Sequence, residues 1–558
     1  MRAYRILPLL LATTALAACS VRPDPITPAE HLLRAQQDYK ALYADFVPLP
    51  EALTLEEAIA RALKYNFDNQ LSKSEVGLQV RQFDLAWAQI LPKLAVDAGY
   101  NWRDNDAASS SFAMSSHTQS LESSYSTERE HYTADLQFTW NLLDAGVSYF
   151  QARQQGYRAL MAVERRRKVL NNIVKETRSV YWRSMTAQRL LPRIEPVLID
   201  AEKALENSRQ ANKDSLQPPL QALEYQQTML QVIGQLRRIR TELMSARSQL
   251  AALINAPPSA ELRLAQEAMP PAPVNMGGAD VPKLESLALF MRPELREEAY
   301  QEQIDRQNVY KEIVKMMPGV SLLSSLNYDS NTFLFNNTWA EAGVRVSYNL
   351  VNLYQGPLAI DAAEAGVEVS RVRRLALSVA VLTQVNLAYQ QLLRSGEMLQ
   401  TATAIDDVQR KIAQVVGSAA TASAQSDAEK IRRFLNATAA ELERDRAFSE
   451  VHASLGNLYA ALGVDLVPPT VELNDLKSLT ADVKHAIADW EAGRMPELPP
   501  LPAATEPAAE STQAAPAAKD EAARDPAMDP DNRLGTLVGK LYATLTDSPA
   551  TSATEATR

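Results

Sequence analysis

The chain has 558 residues, a formal net charge of -10 at pH 7 and an isoelectric point near 5.3. This acidic balance argues against a nucleic-acid-binding protein, which normally carries a basic face. Glycine is scarce, and long stretches lack both glycine and proline, which favours extended helices over many small globular units. After the amino-terminal segment, no window offers the roughly 18 uninterrupted apolar residues that a spanning helix requires, so any membrane crossing must use strands.

The amino-terminal segment has the pattern of an export signal. Two arginines precede an apolar run over residues 6–16, and small residues follow it. The sequence Leu16-Ala17-Ala18-Cys19 resembles the lipobox of bacterial lipoproteins, in which the cysteine becomes the acylated first residue. By the sorting rule of that class, Ser20 implies the outer membrane. Plain secretion and an incidental cysteine are the alternatives. Cys19 is the only cysteine, so lipidation leaves no thiol for a disulfide, a metal cluster or a nucleophile.

The rest of the chain contains an internal duplication. A helical pattern ends at Pro92 and passes into an alternating segment, and the same transition recurs at Pro318, 226 residues later. Asn141 in "FTWNLLDAG" corresponds to Asn349 in "VSYNLVNLY", an offset of 208, and "LAALINAPP" corresponds to "YAALGVDLVPP" at an offset of 209. The first offset exceeds the second by 18, which places an insertion between Pro92 and Asn141. Its Ser-rich composition predicts an exposed loop.

Each copy is predicted to contain a helix, a strand, a loop, a strand, a long helix, a turn and a second long helix. In the first copy the long helices are interrupted at Pro218 and Pro219, and the second helix continues to about Ala256. In the second copy the break falls in the small, polar segment 416–427. The predicted helical hairpins are far longer than the average helix of about 11 to 12 residues.

Four segments alternate between apolar and polar side chains, as strands with two different faces do. They begin near residues 92, 133, 320 and 341, and Leu323-Ser324 breaks the rule in the third. A soluble amphipathic sheet is one interpretation. Strand lengths near the 9 to 11 residues that cross a bilayer, together with aromatic residues at the strand ends, favour membrane strands. The predicted interfacial aromatics are Tyr100, Trp102, Trp140, Tyr328, Tyr348 and, just before the fourth strand, Trp339.

If these strands span a membrane, the chain must oligomerise. Four strands cannot close a barrel, and an open strand edge in lipid leaves unpaired backbone groups that cost several kcal/mol each.

From Leu53 to about Pro469, the chain resembles the TolC-like family of outer-membrane efflux and secretion ducts. The resemblance rests on "LTLEEAIARALKYN", "ILPKLAVDAGYN" and "FTWNLLDAG" and on their second-copy counterparts. It implies a mixed fold of α-helices and transmembrane β-strands, built from a duplicated helix-strand-strand-helix-hairpin unit. Three chains would form a twelve-stranded β-barrel that continues into a long periplasmic α-helical barrel. The lipobox resembles the lipid-anchored branch of the family.

The resemblance also implies partners and site residues. The partners are two further copies of the chain, a periplasmic adaptor, an inner-membrane transporter and outer-membrane lipid, with no nucleic acid and no cofactor. The polar strand faces would line the barrel lumen with Asp97, Arg103, Asp135, Glu341 and Arg345. The hairpin tips would constrict the duct, with Asp427, Glu429 and Asp214 as gate candidates. The family's paired aspartates are not matched cleanly, because Arg432 and Arg433 stand where that motif is expected.

These patterns predict seven segments. They are a signal peptide at 1–18, an amino-terminal periplasmic segment at 19–52, a first repeat at 53–260, a linker at 261–283, a second repeat at 284–470, a carboxyl-terminal periplasmic segment at 471–495, and a tail at 496–558. The tail is rich in Pro, Ala and acidic residues and is predicted to be disordered, with a possible short helix at 532–545.

The predicted function is a passive exit duct of a tripartite export system, with small-molecule efflux favoured and type I protein or peptide secretion as the alternative. A further alternative is a periplasmic coiled-coil structural lipoprotein, which explains the hairpins but not the four strands. An enzyme is not expected. The five histidines are scattered, and no nucleophile elbow, phosphate-binding glycine loop or metal-ligand spacing is present.

Overall fold

The computed structural model describes residues 24–44, 46–119, 122–213, 219–257, 260–265, 280–419, 427–466 and 475–498. Cys19 and the tail segment at 532–545 lie outside these ranges. The amino-terminal helix α1 (Pro28–Leu42) begins with a capping box, in which Thr27 and Glu30 bond each other's backbone amides. None of its residues is buried.

The first repeat follows the predicted order. Two short helices lead to a strand, and a second strand leads into a very long helix and its returning partner. The elements are α2 (Leu55–Tyr65), α3 (Phe67–Ala88), β1 (Lys93–Trp102), β2 (Phe112–Ala113), β3 (Thr118–Gln119), β4 (Glu130–Asn141), α4 (Leu142–Lys213) and α5 (Pro219–Leu253). The Ser-rich insertion is not only a loop, because β2 and β3 pair within it. The alternation rule missed this pairing because each strand has only two residues.

The second repeat reproduces the first without the inserted strands. Its elements are α6 (Val281–Met291), α7 (Pro293–Lys315), β5 (Gly319–Asp329), β6 (Thr338–Ser347), α8 (Asn352–Ala419) and α9 (Asp427–Leu462), and the helix α10 (Leu476–Glu491) follows it. The predicted breaks in the hairpins fall between α4 and α5 and between α8 and α9. Within the described ranges, no helix is both long enough and apolar enough to span a bilayer.

The long strands form one antiparallel sheet in the order β1-β4-β5-β6. The central pair, β4 and β5, joins the two repeats, with Leu136 opposite Leu326. Helices continue the strands in the same order, because α4 packs against α3 on one side and α7 on the other, and α7 packs against α8. Strand order and helix order therefore agree, and β1 with α3 and β6 with α8 form the two edges of the chain.

The largest apolar core lies midway along the long helices. Residues of α2, α6 and α10 pack there against α4, α8 and α9, with Ile59, Tyr181, Leu458 and Val483 among the buried side chains. A second core, which includes Leu190, Ile194 and Leu236, holds α4 against α5 closer to the hairpin tips. Apolar burial at these two levels stabilises the hairpins, because long helices gain most of their stability from packing.

Candidate functional site

The sheet has one polar and one apolar face. Asp97 lies directly opposite Asp135, and Glu341 lies opposite Ser325 on the same face. Arg345 pairs with Ser321 at the helical end of that face. Arg103 follows the last residue of β1, and its backbone amide donates to Arg129. The predicted lumen residues within the strands thus share one face of the sheet, and their exposure to a lumen stays a prediction.

The apolar face carries most of the predicted aromatic residues. Near the loop end, Tyr100 lies opposite Tyr132 with ring centroids 5.0 Å apart, and Trp102 and Tyr328 occupy the same face. At the helical end, the Trp140 indole donates to the Ile90 carbonyl at 3.2 Å. Tyr348 directly follows β6 with the parity of the apolar positions. The aromatic residues therefore cluster towards both ends of the sheet, as in proteins whose strands cross a bilayer.

Trp339 departs from the prediction. It lies inside β6, because that strand begins at Thr338, and it stands opposite Asn327 on the polar face. Its indole nitrogen donates to Glu341 at 2.7 Å. The prediction that it precedes the strand is therefore wrong, and it shares the polar face with Glu341, since strand side chains alternate. Its role at a membrane interface stays a prediction.

Both edges of the chain carry largely exposed apolar side chains. On α3, Ser72 and Val76 are buried, whereas Leu71, Leu78 and Leu85 are 60%, 55% and 64% exposed. On α8, Ala363 and Ser370 are buried. Its exposed stripe contains Leu358, Ala362, Ala365, Val369, Val372, Ala376 and Val379. These positions repeat every three or four residues, which is the spacing of a coiled-coil seam.

The two stripes lie at matching heights. Leu71 comes 22 residues before Lys93, where β1 begins, and Val369 comes 22 residues after Ser347, where β6 ends. Helices rise by the same amount per residue, so equal spacing from the sheet places the two side chains at about the same level.

Two of the three predicted gate residues lie at the start of α9, which is one end of the second hairpin. Asp214 is outside the described residues. Asp427 and Glu429 occupy the first turn of α9, and their side chains are not described. The gate assignment therefore stays a prediction.

Further from the tips, charged side chains connect the two hairpins, and the sequence did not reveal them. Arg193 of α4 bonds Glu441 of α9 at 2.5 Å, and Arg189 pairs with the fully buried Asp445. Within the second hairpin, Arg444 of α9 bonds Asp406 of α8 at 2.5 Å. Arg189 with Arg193 and Glu441 with Asp445 are each four residues apart and so share a helix face. That spacing was a usable signal, but it does not identify which helices pair.

A buried polar network attaches α10 to the long helices. Arg178 of α4 donates to Glu491 of α10 at 2.8 Å and lies 2.9 Å from Nδ1 of His452 on α9. Arg178 is 1% exposed, and the His452 ring stacks on Trp182. Burial, together with the Arg178 charge, lowers the pKa of His452 to about 2, so the imidazole is neutral and accepts the guanidinium hydrogen bond.

The Tyr459 hydroxyl reinforces this attachment. It donates to the Trp490 carbonyl at 3.1 Å, and the two rings stack with centroids 4.1 Å apart. Burial raises the pKa of Tyr459 to about 12, so the phenol stays protonated and keeps its donor. Among the described residues, no group of three or more His, Cys, Asp or Glu side chains could hold a metal ion.

Solved structures of bacterial channels share this architecture. The chain is similar to CusC, a transmembrane channel, with 18% identity over 73% of this chain and 92% of CusC and a TM-score of 0.55. It is similar to the Campylobacter jejuni CmeC outer membrane channel, with 13% identity, 77% and 89% coverage and a TM-score of 0.57. The chain is also similar to the open state of the Neisseria gonorrhoeae MtrE outer membrane channel, with 17% identity over 73% of this chain and 88% of MtrE and a TM-score of 0.54.

No protein-family model and no curated protein sequence matches the chain. At these identities the structural likeness establishes the fold, which is that of the outer-membrane channels. The fold that the TolC-like resemblance implies is therefore confirmed at the level of the single chain.

Proposed function

We propose that this chain belongs to the TolC-like family and that three copies form an outer-membrane exit duct. One observation carries the proposal: the sheet and the helical layer end in open edges on the same two sides, at β1 with α3 and at β6 with α8. Three chains would supply twelve strands, and closure of the ring would pair every edge with its counterpart. The polar sheet face would then line a water-filled lumen and the apolar face would contact lipid.

Oxidative cross-linking tests the ring. In a Cys19→Ala background, the pair Leu71→Cys and Val369→Cys should give covalent dimers and trimers, because the two positions lie at matching heights on facing edges. The control pair, Lys73→Cys with Val369→Cys, moves one thiol off the α3 stripe and should cross-link several-fold less. Equal yields from the two pairs, or no ladder, would contradict the proposed interface.

Channel currents test the duct. Purified trimer in planar bilayers should conduct ions without an energy source, because the proposed function is passive and includes no chemistry. We propose that the tip residues Asp427, Glu429 and Asp214 form the narrowest ring, so Asp427→Ala should change conductance or cation preference more than Asp97→Ala in the wider barrel. Absence of current from correctly trimeric protein would reject the duct.

The anchor, topology and cargo complete the proposal. Acylation at Cys19 would fix the chain to the outer membrane, and fatty-acid labelling that persists in Cys19→Ala would contradict it. An epitope at Ser116, beside the β3 strand, should be reachable on intact cells.

We propose small molecules as cargo, delivered by an inner-membrane transporter through a periplasmic adaptor. Loss of the chain should then sensitise cells to toxic small molecules. Loss of a secreted protein from the medium would instead support type I secretion.

A further inference from the structure

A cavity of about 340 Å³ lies where α9 ends and α7 begins. The long helices α4 and α8 form its sides. Its lining includes the charged and amide side chains of Lys168, Asn172, Lys175, Arg292, Glu294 and Asn457. Its volume falls within the range of roughly 300 to 1,000 Å³ typical of small-molecule sites.

The cavity is positively charged although the chain is acidic. Three cations face one carboxylate, which gives a formal charge of +2. Glu294 is already engaged, since it lies 3.1 Å from Arg292 and 3.4 Å from Lys168. Arg292 is engaged as well, because it donates to the Ala460 carbonyl at 2.8 Å and to the Gln384 side chain. These contacts form the wall of the cavity.

Three groups in the cavity have no partner within the described part of the chain. They are the ammonium of Lys175 and the side-chain amides of Asn172 and Asn457. The aliphatic stem of Lys175 passes beside Gly456 of α9, where its Cγ lies 3.8 Å from the position of an added Cβ. This contact helps to position the ammonium within the cavity. Asn172 lies on the same helix three residues before Lys175, and Asn457 belongs to α9, so the three groups come from two elements.

We propose that this cavity binds a small organic anion that carries more than one carboxylate and at least one hydroxyl group. The unpaired ammonium and the net charge of +2 would hold the carboxylates, because hydrogen bonds between charged partners are about twice as strong as neutral ones. The two amides would bond the remaining polar groups, since each amide offers both donors and an acceptor. The site uses residues of a single chain, so it does not depend on the proposed duct.

Titration calorimetry of the full-length protein with citrate tests the proposal. Wild type should bind one citrate per chain saturably, and uncharged glycerol should give no signal. Lys175→Met should weaken citrate binding roughly tenfold, the loss expected for one charge-assisted contact. Asn172→Ala and Asn457→Ala should each weaken it roughly threefold. Tricarballylate, which lacks the hydroxyl of citrate, should bind wild type more weakly than citrate does.

The matched control is Lys73→Met, which removes an exposed lysine of α3 outside the cavity and should leave citrate binding unchanged. No saturable binding to wild type, or equal affinity in wild type and Lys175→Met, overturns the site. An equal loss in Lys73→Met also overturns it, because the attraction would then be diffuse. If Lys175→Met does not fold, Lys175→Gln and the exposed Asn172→Ala decide the question. Failure of the proposed duct would appear as absent current with citrate binding intact.

Discussion

The two repeats differ in how deeply their first short helix, α2 or α6, is buried against the long helices. In the first, eight of the eleven residues of α2 are buried, whereas three of the eleven residues of α6 are buried in the second. The difference follows from α10, which packs against α2 and leaves Phe290 of α6 exposed. The helix α10 therefore covers the first junction, where α2 meets the long helices, and leaves the second junction, where α6 meets them, open beside a cavity.

The two junctions nevertheless keep the same connection. At the first, the Asn66 amide before α3 donates to the Leu253 carbonyl at 3.3 Å. At the second, Arg292 before α7 donates to the Ala460 carbonyl at 2.8 Å. Each contact ties the start of one helix to the end of the returning helix, where carbonyls lack helical partners. Duplication thus preserved a hydrogen bond and changed the charge of its donor.

The largest predicted effect concerns the network beneath α10. Arg178→Ala should lower stability by about 3–5 kcal/mol per chain, because it leaves a cavity and removes the buried partner of both His452 and Glu491. Thermal unfolding followed by circular dichroism measures the change. The offset of 208 relates Arg178 to Asn386, which bonds Glu285 of α6, and Asn386→Ala should cost only about 1 kcal/mol. Equal losses would show that the two junctions are energetically alike.

A second substitution compares the ends of the returning helices. Gly463, after α9, has φ +74°, and an added Cβ would lie 2.8 Å from the Arg292 backbone. Gly463→Ala should therefore cost about 2–3 kcal/mol from left-handed strain and backbone displacement. Asn255, after α5, has φ 52° and bonds the Leu42 carbonyl, and Asn255→Ala should cost about 1 kcal/mol. Denaturant unfolding that ranks Asn255→Ala as the more damaging change would contradict this reading of the two ends.

The pH dependence of stability should arise from His452, which lies in the buried network that attaches α10 to the long helices. His452 has a pKa of about 2 in the folded chain against 6.5 when unfolded, so below pH 6.5 the unfolded state binds more protons. Stability contributed by the neutral imidazole is full above pH 6.5 and is lost as the pH falls. Between pH 7.5 and pH 5 this contribution should decrease by about 2 kcal/mol per chain. His452→Gln should reduce the slope, whereas His31→Gln on the exposed helix α1 should retain it. An unchanged slope in His452→Gln would exclude the imidazole as its source.

The smallest predicted effect on stability concerns Arg292, the donor at the second junction, when it is replaced by asparagine, the residue type that donates at the first. Arg292→Asn should cost about 1–2 kcal/mol, because the shorter amide cannot reach both the Ala460 carbonyl and the Gln384 side chain. The matched control is Arg296→Asn, which removes a more exposed arginine of α7 and should change stability by less than half as much. If Arg292→Asn unfolds at the wild-type temperature, the charged donor adds nothing to the connection.

Local sequence patterns predicted the strands and hairpins because each of these elements extends over enough residues for its periodicity to be recognised. Period-two alternation identified the sheet segments around Asp97 and Arg345, and the predicted break at Pro218 and Pro219 coincides with the start of α5 at Pro219. The prediction that Trp339 precedes β6 was wrong because an aromatic residue fits either side of a strand end. The short strands β2 and β3 offered too few residues for any period.

Contacts between distant residues could not be predicted in the same way. Arg178 lies 274 residues from His452 and 313 from Glu491, and nothing in one helix specifies the partner on another. His452, one of the five scattered histidines, packs against Trp182 and Phe448. The cavity beside Lys175 depends on where α9 stops and α7 starts, which requires the assembled fold.

In the proposed duct, the matched spacing of Leu71 and Val369 from the sheet sets the height at which the edge helices of neighbouring chains meet. Inserting seven residues into α3 alone would displace its stripe by about 10.5 Å relative to the neighbouring chain. The same insertion in α3, α4, α7 and α8 would keep every stripe facing its partner and lengthen the upper part of the duct by that distance. If the chain forms the proposed duct, the periplasmic length of that duct can therefore change only by whole heptads inserted into all four helices together.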